Sequence, residues 1–227
     1  KFFGVLICAH NKIICRKDTV SFAFFIYQFN SDFYIQNHAT LNIKKIVITG
    51  SPGTGKSSVI SALKNKKFDC FDEIIRTLTL EAKKEGDTST HISNPIAFVN
   101  DPMTFNTNLI NGRISQFKQA DTLKKDLIFF DRGIPDVLAY MAFFNQDQDD
   151  FFTSACEMHT YSHVFILPPW EAIYKMDNER FETFQESLEI HVHLEQTYKR
   201  FGYNIIDVPF DTIENRVDYI LNVLNAL

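Results

Sequence analysis

The chain of 227 residues has only four cysteines, one tryptophan and no excess of basic side chains. Cys8, Cys15, Cys70 and Cys156 form no C-x-x-C pair and no metal-ligand spacing, so reduced thiols in a cytosolic protein are the simplest reading. Lys and Arg number 23 against 28 Asp and Glu, a net charge of -5. That balance argues against a sequence-independent nucleic-acid binder, which needs a basic face. Phenylalanine is abundant, at 23 residues. Even so, no apolar run reaches the ~18 residues that a membrane span requires, and no membrane partner is expected. The run Phe2 to Ala9 is followed by no small-residue cleavage site, which argues against a signal peptide.

What is present is a hydrophobic content of 45%, enough at this length to bury one sizeable core. One α/β domain over residues 43–227 is expected. Residues 1–42 stand apart as an N-terminal extension, with two aromatic-rich runs around the polar stretch His10 to Asp18 and no amphipathic period. Two readings of it stand. It is an extra hairpin or helix packed on the core, or it is a non-native or disordered stretch translated from upstream of an alternative start at Leu41, since no methionine precedes Met103.

The most informative stretch is Lys44 to Ser58, K-K-I-V-I-T-G-S-P-G-T-G-K-S-S. It matches G-x-x-x-x-G-K-[ST] at Gly50, Gly55, Lys56 and Ser57, with β-formers Ile46 to Thr49 before it and a helix-compatible run from Ser57 to Leu63 after it. Glycines let the backbone turn its N–H groups inward, and the first helical turn adds unpaired N–H groups and a positive dipole end. The candidate nucleotide contacts are therefore Gly50, Ser51, Pro52, Gly53, Thr54, Gly55, Lys56, Ser57 and Ser58. Lys56 is placed to reach the β and γ phosphates of ATP, and the Ser57 hydroxyl to take a magnesium ion bridging them.

Further along, the pattern predicts a strand over Phe68 to Phe71, with Glu73, Arg76 and Thr77 on the first turn of a helix running to about Lys84. After a polar loop, Pro102 starts a helix to about Asp121, on which Ile110, Ile114 and Phe117 form an apolar stripe with Arg113 and Gln116 beside it. Asp126 to Phe130 reads as the third strand and delivers Asp131, Arg132 and Gly133 at its C-terminal end. An apolar strand ending in Asp is the pattern that brings a second carboxylate near magnesium, so Asp131 joins Ser57 as a candidate metal ligand. Helices are expected from Pro135 to Phe144 and up to about Thr160, strands over Val164 to Leu167 and Tyr203 to Val208, a long helix that the polar run Asp177 to Arg180 leads into and that reaches about Phe201, and a last helix capped by Asp211. His191 and His193, two apart on a helix, face different directions and are read as surface or packing residues.

In order and spacing, Gly50 to Ser57, Glu73 with Arg76, Asp131-Arg132-Gly133, and Asp177 to Arg180 resemble one family. It is the predicted AAA-type ATPase family that includes the ribosylnicotinamide-kinase domain of the bacterial NAD regulator. The resemblance covers about residues 43 to 225, and Gly202-Tyr203, Val208-Pro209 and Arg216-Val217 fit it too. It implies a three-layer P-loop fold with a five-stranded parallel sheet ordered 2-3-1-4-5 and flanked by helices. It also implies that Asp131 acts near the metal, that Arg132 sits beside the transferred phosphate or the acceptor, that Glu73 binds the acceptor or serves as base, and that Arg180 is a lid arginine. Arg76 joins Glu73 and Arg132 as an acceptor contact. Plain alternatives exist for three of these residues: Arg76 and Arg132 as surface ion-pair residues, and Glu73 as a helix N-terminal charge.

Two absences bear on the reaction. Motor-type AAA proteins usually follow the strand-end Asp with Glu, whereas here Arg132 follows Asp131; and no N-K-x-D guanine signature occurs. Phosphoryl transfer from ATP to a small nucleoside- or nucleotide-like acceptor is therefore favoured, with a regulatory ATPase lacking such an acceptor as the alternative. The acceptor's identity and the oligomeric state are not written in the sequence.

Overall fold

Five short runs rich in β-branched and aromatic residues pair in parallel as one sheet. They are β1 (Lys44–Gly50), β2 (Asp69–Phe71), β3 (Leu127–Asp131), β4 (His163–Leu167) and β5 (Ile205–Asp207), in the order β2-β3-β1-β4-β5. This is the order expected for the P-loop fold. The computed structural model describes residues 43–75, 101–174 and 182–227. The N-terminal extension, Arg76, Asp177 and Arg180 lie outside the described residues, as does the expected helix beyond Ile75.

Period-two alternation sends the strand side chains to two separate cores. Val47, Ile128, Phe130, Val164 and Ile166 face one side, where α2 (Pro102–Ala120), α3 (Pro135–Phe143), α4 (Asp150–Met158) and α5 (Phe184–Arg200) cover them. Ile46, Ile48, Phe129, Phe165 and Leu167 face the other, under α1 (Lys56–Asn65) and α6 (Ile213–Ala226). A strand buried on both faces reads as the continuous apolar run seen in the sequence. Each fully buried side chain such as Phe129 or Ile46 contributes about 1.5–3 kcal/mol.

Local signals fix the helix starts. Asp101 accepts from the Thr104 amide at 3.1 Å with Pro102 in the first turn, and Asp149 caps α4 by accepting from the amides of Phe151 and Phe152. The long helix begins at Phe184, because Thr183 and Glu186 form a reciprocal capping box there. One expected cap is corrected, that of the last helix: it is capped by Thr212, whose hydroxyl accepts from the Asn215 amide at 3.2 Å. Asp211 instead accepts from the Thr212 amide at 2.7 Å and the Asn215 side chain at 2.8 Å.

The sheet positions the site through its connections. Adjacent strands β1 and β3 feed α1 and α3, which lie on opposite faces, the arrangement in which an open parallel sheet forms its ligand crevice outside the strands' C-terminal ends. Residues Asn42–Leu227 form one compact unit.

Candidate functional site

Thr49-Gly50 ends β1, and the chain then curls into the loop before entering α1. Gly50 has φ 154°, and a Cβ there would stand 2.6 Å from the Leu167 carbonyl oxygen. Gly53 has φ 81°, and a Cβ there would meet the Tyr174 ring at 2.5 Å. Both positions thus need glycine for conformation and for space. The loop is also pinned from outside: Ser187 donates to the Pro52 carbonyl at 2.9 Å, Ser51 and Ser187 share a hydroxyl contact at 2.8 Å, and the Thr54 hydroxyl donates to the Ser51 carbonyl at 3.0 Å. Gly50→Ala is expected to cost about 1–3 kcal/mol through backbone strain and the carbonyl clash, lowering the melting temperature by several degrees, about 2–4 °C per kcal/mol. Calorimetry of the variant checks this; an unchanged melting temperature would show that the loop adapts.

At the crevice, register places Asp131 opposite Ile48. The buried Lys56 ammonium lies 3.4 Å from Asp131 Oδ1, with side-chain exposures of 7% and 3%. That oxygen is buried and has no hydrogen-bond partner. A strand-end carboxylate oxygen with no hydrogen bond, ion-paired to Lys56 at the first position of α1, is a donor that fits a hard divalent cation such as magnesium. Ser57 is half-buried at the second position of α1 and Ser58 is exposed.

Next to Asp131 the structure brings together two residues that the sequence leaves 59 positions apart. Arg132 donates through Nε to Glu73 Oε1 at 2.6 Å, and both side chains are largely buried, at 7% and 13% exposure. This is a buried ion pair at the crevice, so the surface-pair reading of Arg132 is set aside. Arg132 holds φ 72°, uncommon for a residue other than glycine, and its guanidinium lies 5.1 Å from the Tyr140 ring centroid. Burial works against its charge, but Tyr140 and the carboxylates of Glu73 and Asp136 outweigh that, and its pKa is raised.

Asp136 escaped the sequence reading, and Arg113 and Arg216, named there, make contacts it did not foresee. Asp136, fully buried, accepts from Thr49, Tyr198, Arg132 and the Gly133 amide. Burial raises its pKa, yet the guanidinium groups of Arg113 and Arg132 and the hydroxyls of Thr49 and Tyr198 prevail and hold it below the ordinary carboxylate value. Arg113 is itself buried and donates to the Gly133 carbonyl. Arg216, also buried, donates to the Thr54 carbonyl at 2.8 Å and lies 5.0 Å from the Trp170 ring centroid, with Trp170 stacked on the exposed Phe210 at 5.3 Å. A signal for Asp136 existed: it stands four residues after Arg132 in D-R-G-I-P-D, close enough in sequence for the two charges to pair. Arg76 and Arg180 lie outside the described residues.

A family model described as an AAA domain matches residues 45–216. Among solved structures, a thymidylate kinase from Candida albicans superposes with a TM-score of 0.58 at 20% identity, covering 82% of this chain and 92% of that one. A thymidylate kinase from Ehrlichia chaffeensis gives 0.54 at 13% identity, covering 81% and 99%. A structure of the NadR protein in complex with NR gives 0.59 at 15% identity, covering 90% of this chain and 58% of that one. At these identities the likeness shows a shared fold. A search of curated proteins finds no match. Among the described residues, no helix is long and apolar enough to cross a membrane.

Proposed function

The chain belongs to this AAA-domain family, and on that premise we propose that it transfers the γ-phosphoryl group of ATP to a small nucleoside- or nucleotide-like acceptor. The observation that carries the proposal is the pairing of Glu73 with Arg132 directly beside Asp131, at the mouth of the phosphate-binding loop. A carboxylate next to a strand-end Asp in a hydrolase polarises water. Here that neighbour is a guanidinium, and the nearest carboxylate beyond it is held in its grip. Such an arrangement orients an acceptor hydroxyl or phosphate, and the fold shared with thymidylate kinases and NadR supports the same reading.

Each residue has a part. Loop amides and the α1 N-terminus cradle the polyphosphate, and Lys56 moves from Asp131 to the β and γ oxygens as nucleotide enters. Magnesium, when bound, neutralises phosphate charge; Ser57 and Asp131 would hold it. Arg132 stabilises charge on the transferred group, and Glu73 accepts a hydrogen bond from the acceptor. The Trp170–Arg216 contact borders the loop on its far side from β3 and is a candidate surface for the nucleotide base. Arg180, seven residues before Ser187, is proposed as a closing arginine and Arg76 as an acceptor contact, both on the family resemblance.

A panel of nucleosides, ribosylnicotinamide and nucleoside monophosphates, incubated with ATP and magnesium and read by mass spectrometry, tests the proposal. At least one member should gain a phosphoryl group in step with ADP. With that acceptor, Glu73→Gln should lower acceptor kcat/KM by about 100-fold, the scale of losing a positioned carboxylate, and leave ATP affinity unchanged. ADP formation that no acceptor alters, and that survives Glu73→Gln, would overturn the kinase reading in favour of a regulatory ATPase.

A further inference from the structure

We propose that Asp136 is the positioning residue of this site, a carboxylate that fixes the Arg132 guanidinium against the phosphate-binding loop without touching either substrate. The inference rests on the kinase reading for its consequence, not for its geometry. At the start of α3 a carboxylate has an ordinary use as an exposed partner of the helix dipole, yet Asp136 is 0% exposed. A charge so placed is costly unless fully paired, and an apolar residue would fill the same space. Its pairing shows what it is for.

The two carboxylate oxygens divide the work. Oδ1 accepts from Arg132 Nη1 at 3.1 Å and from the Thr49 hydroxyl at 2.6 Å. Oδ2 accepts from the Gly133 amide at 2.9 Å and from the Tyr198 hydroxyl at 2.5 Å, with Arg113 Nη1 at 3.9 Å. Thr49 immediately precedes Gly50, and Tyr198 lies on α5, the helix whose Ser187 holds the Pro52 carbonyl. One carboxylate therefore joins the strand that enters the loop, the helix that braces the loop and the arginine at the acceptor side.

Arg132 needs that hold. Its backbone is in the left-handed region at φ 72°, with its amide donating to the Ile48 carbonyl at 3.1 Å. Glu73 engages Nε and Asp136 engages Nη1, and neither hydrogen bond uses Nη2. Held at two edges, the guanidinium can turn only one way, so Nη2 is the donor presented to an incoming anion. With Glu73 alone it would rotate, and acceptor binding would then have to order it. A misplaced group of this kind costs about 100-fold in rate.

The test uses the full-length, 15N-labelled protein. Arg132 guanidinium signals are assigned by their loss in Arg132→Lys. In the wild type the Nη1 protons should be resolved and slow to exchange, because the Asp136 hydrogen bond blocks rotation about Cζ–Nη1. Asp136→Asn should average them and speed their exchange at least about tenfold, whereas Tyr198→Phe, which relieves only Oδ2, should leave them resolved. In parallel, with ribosylnicotinamide and thymidine monophosphate as acceptor probes, Asp136→Asn should lower acceptor kcat/KM by about 100-fold with ATP KM nearly unchanged. Adding Arg132→Gln to it should cost little more, since the two act through one group. If Asp136→Asn does not fold, Asp136→Asn with Arg113→Met removes one cation along with the anion and is compared with Arg113→Met alone. Resolved, protected Nη1 signals in the Asp136 variants would overturn the proposal and leave Asp136 a scaffold. If the wild type phosphorylates neither probe, the kinase reading loses support, and the guanidinium signals still decide the role of Asp136.

Discussion

Lys56→Ala should abolish the thermal stabilisation that ATP and magnesium give the wild-type protein. A ligand that binds only the folded state at 100 times its Kd adds about 2.7 kcal/mol, and for a chain of this size that is about 5–10 °C in melting temperature. Lys56 supplies a buried ammonium at the start of α1, 3.4 Å from Asp131, where the proposed polyphosphate would sit. Removing it withdraws the charge that the phosphates need and leaves Asp131 buried without its partner. The free variant should therefore melt lower than the wild type, and each shift must be read against its own ligand-free protein. Turnover should fall on the order of 100- to 1,000-fold, as for the loss of a preorganised donor to the transferred group. A ligand-induced shift equal to that of the wild type would remove the loop from the binding site.

Asp131→Asn should act differently. The side chain keeps its shape in β3, so the loop and its amides stay in place and ATP affinity should change by less than about threefold. Oδ1, which pairs with Lys56, loses its charge, and with it the second ligand proposed for magnesium. Turnover should drop on the order of 100-fold or more, and the magnesium concentration for half-maximal rate should rise. Titrating magnesium at saturating ATP separates these effects. Equal losses in ATP affinity and turnover, at an unchanged magnesium requirement, would make Asp131 only the counterion of Lys56.

The contrast between Lys56 and Asp136 shows how far a sequence of this kind can be read. Strands such as Ile128 to Phe130 announce themselves because both faces are buried and the run is apolar throughout, and Asp131 stands out by ending one of them. The loop is visible because glycine spacing and Lys-Ser are all local. The partner of Arg132 was not visible, since Glu73 arrives from the end of another strand through parallel pairing of β2 and β3. Asp136 was hidden more deeply. After Pro135 it reads as an ordinary first-turn charge, and its meaning lies in Arg113 and Tyr198, delivered by α2 and α5 from 23 positions before and 62 after. Buried polar hubs of this sort are properties of packing between elements, and local pattern carries only faint traces of them. Arg216 is a further case: a polar residue on the first turn of the last helix that turns inward to the loop carbonyl of Thr54.

Following the label from γ-33P-ATP in one reaction, with magnesium and with each candidate acceptor present or absent, tests the central claim most directly. The account predicts that one acceptor captures most of the label, that inorganic phosphate forms slowly without it, and that with Glu73→Gln most of the label stays on ATP. Rapid release of all the label as inorganic phosphate, at a rate no acceptor changes, would contradict it.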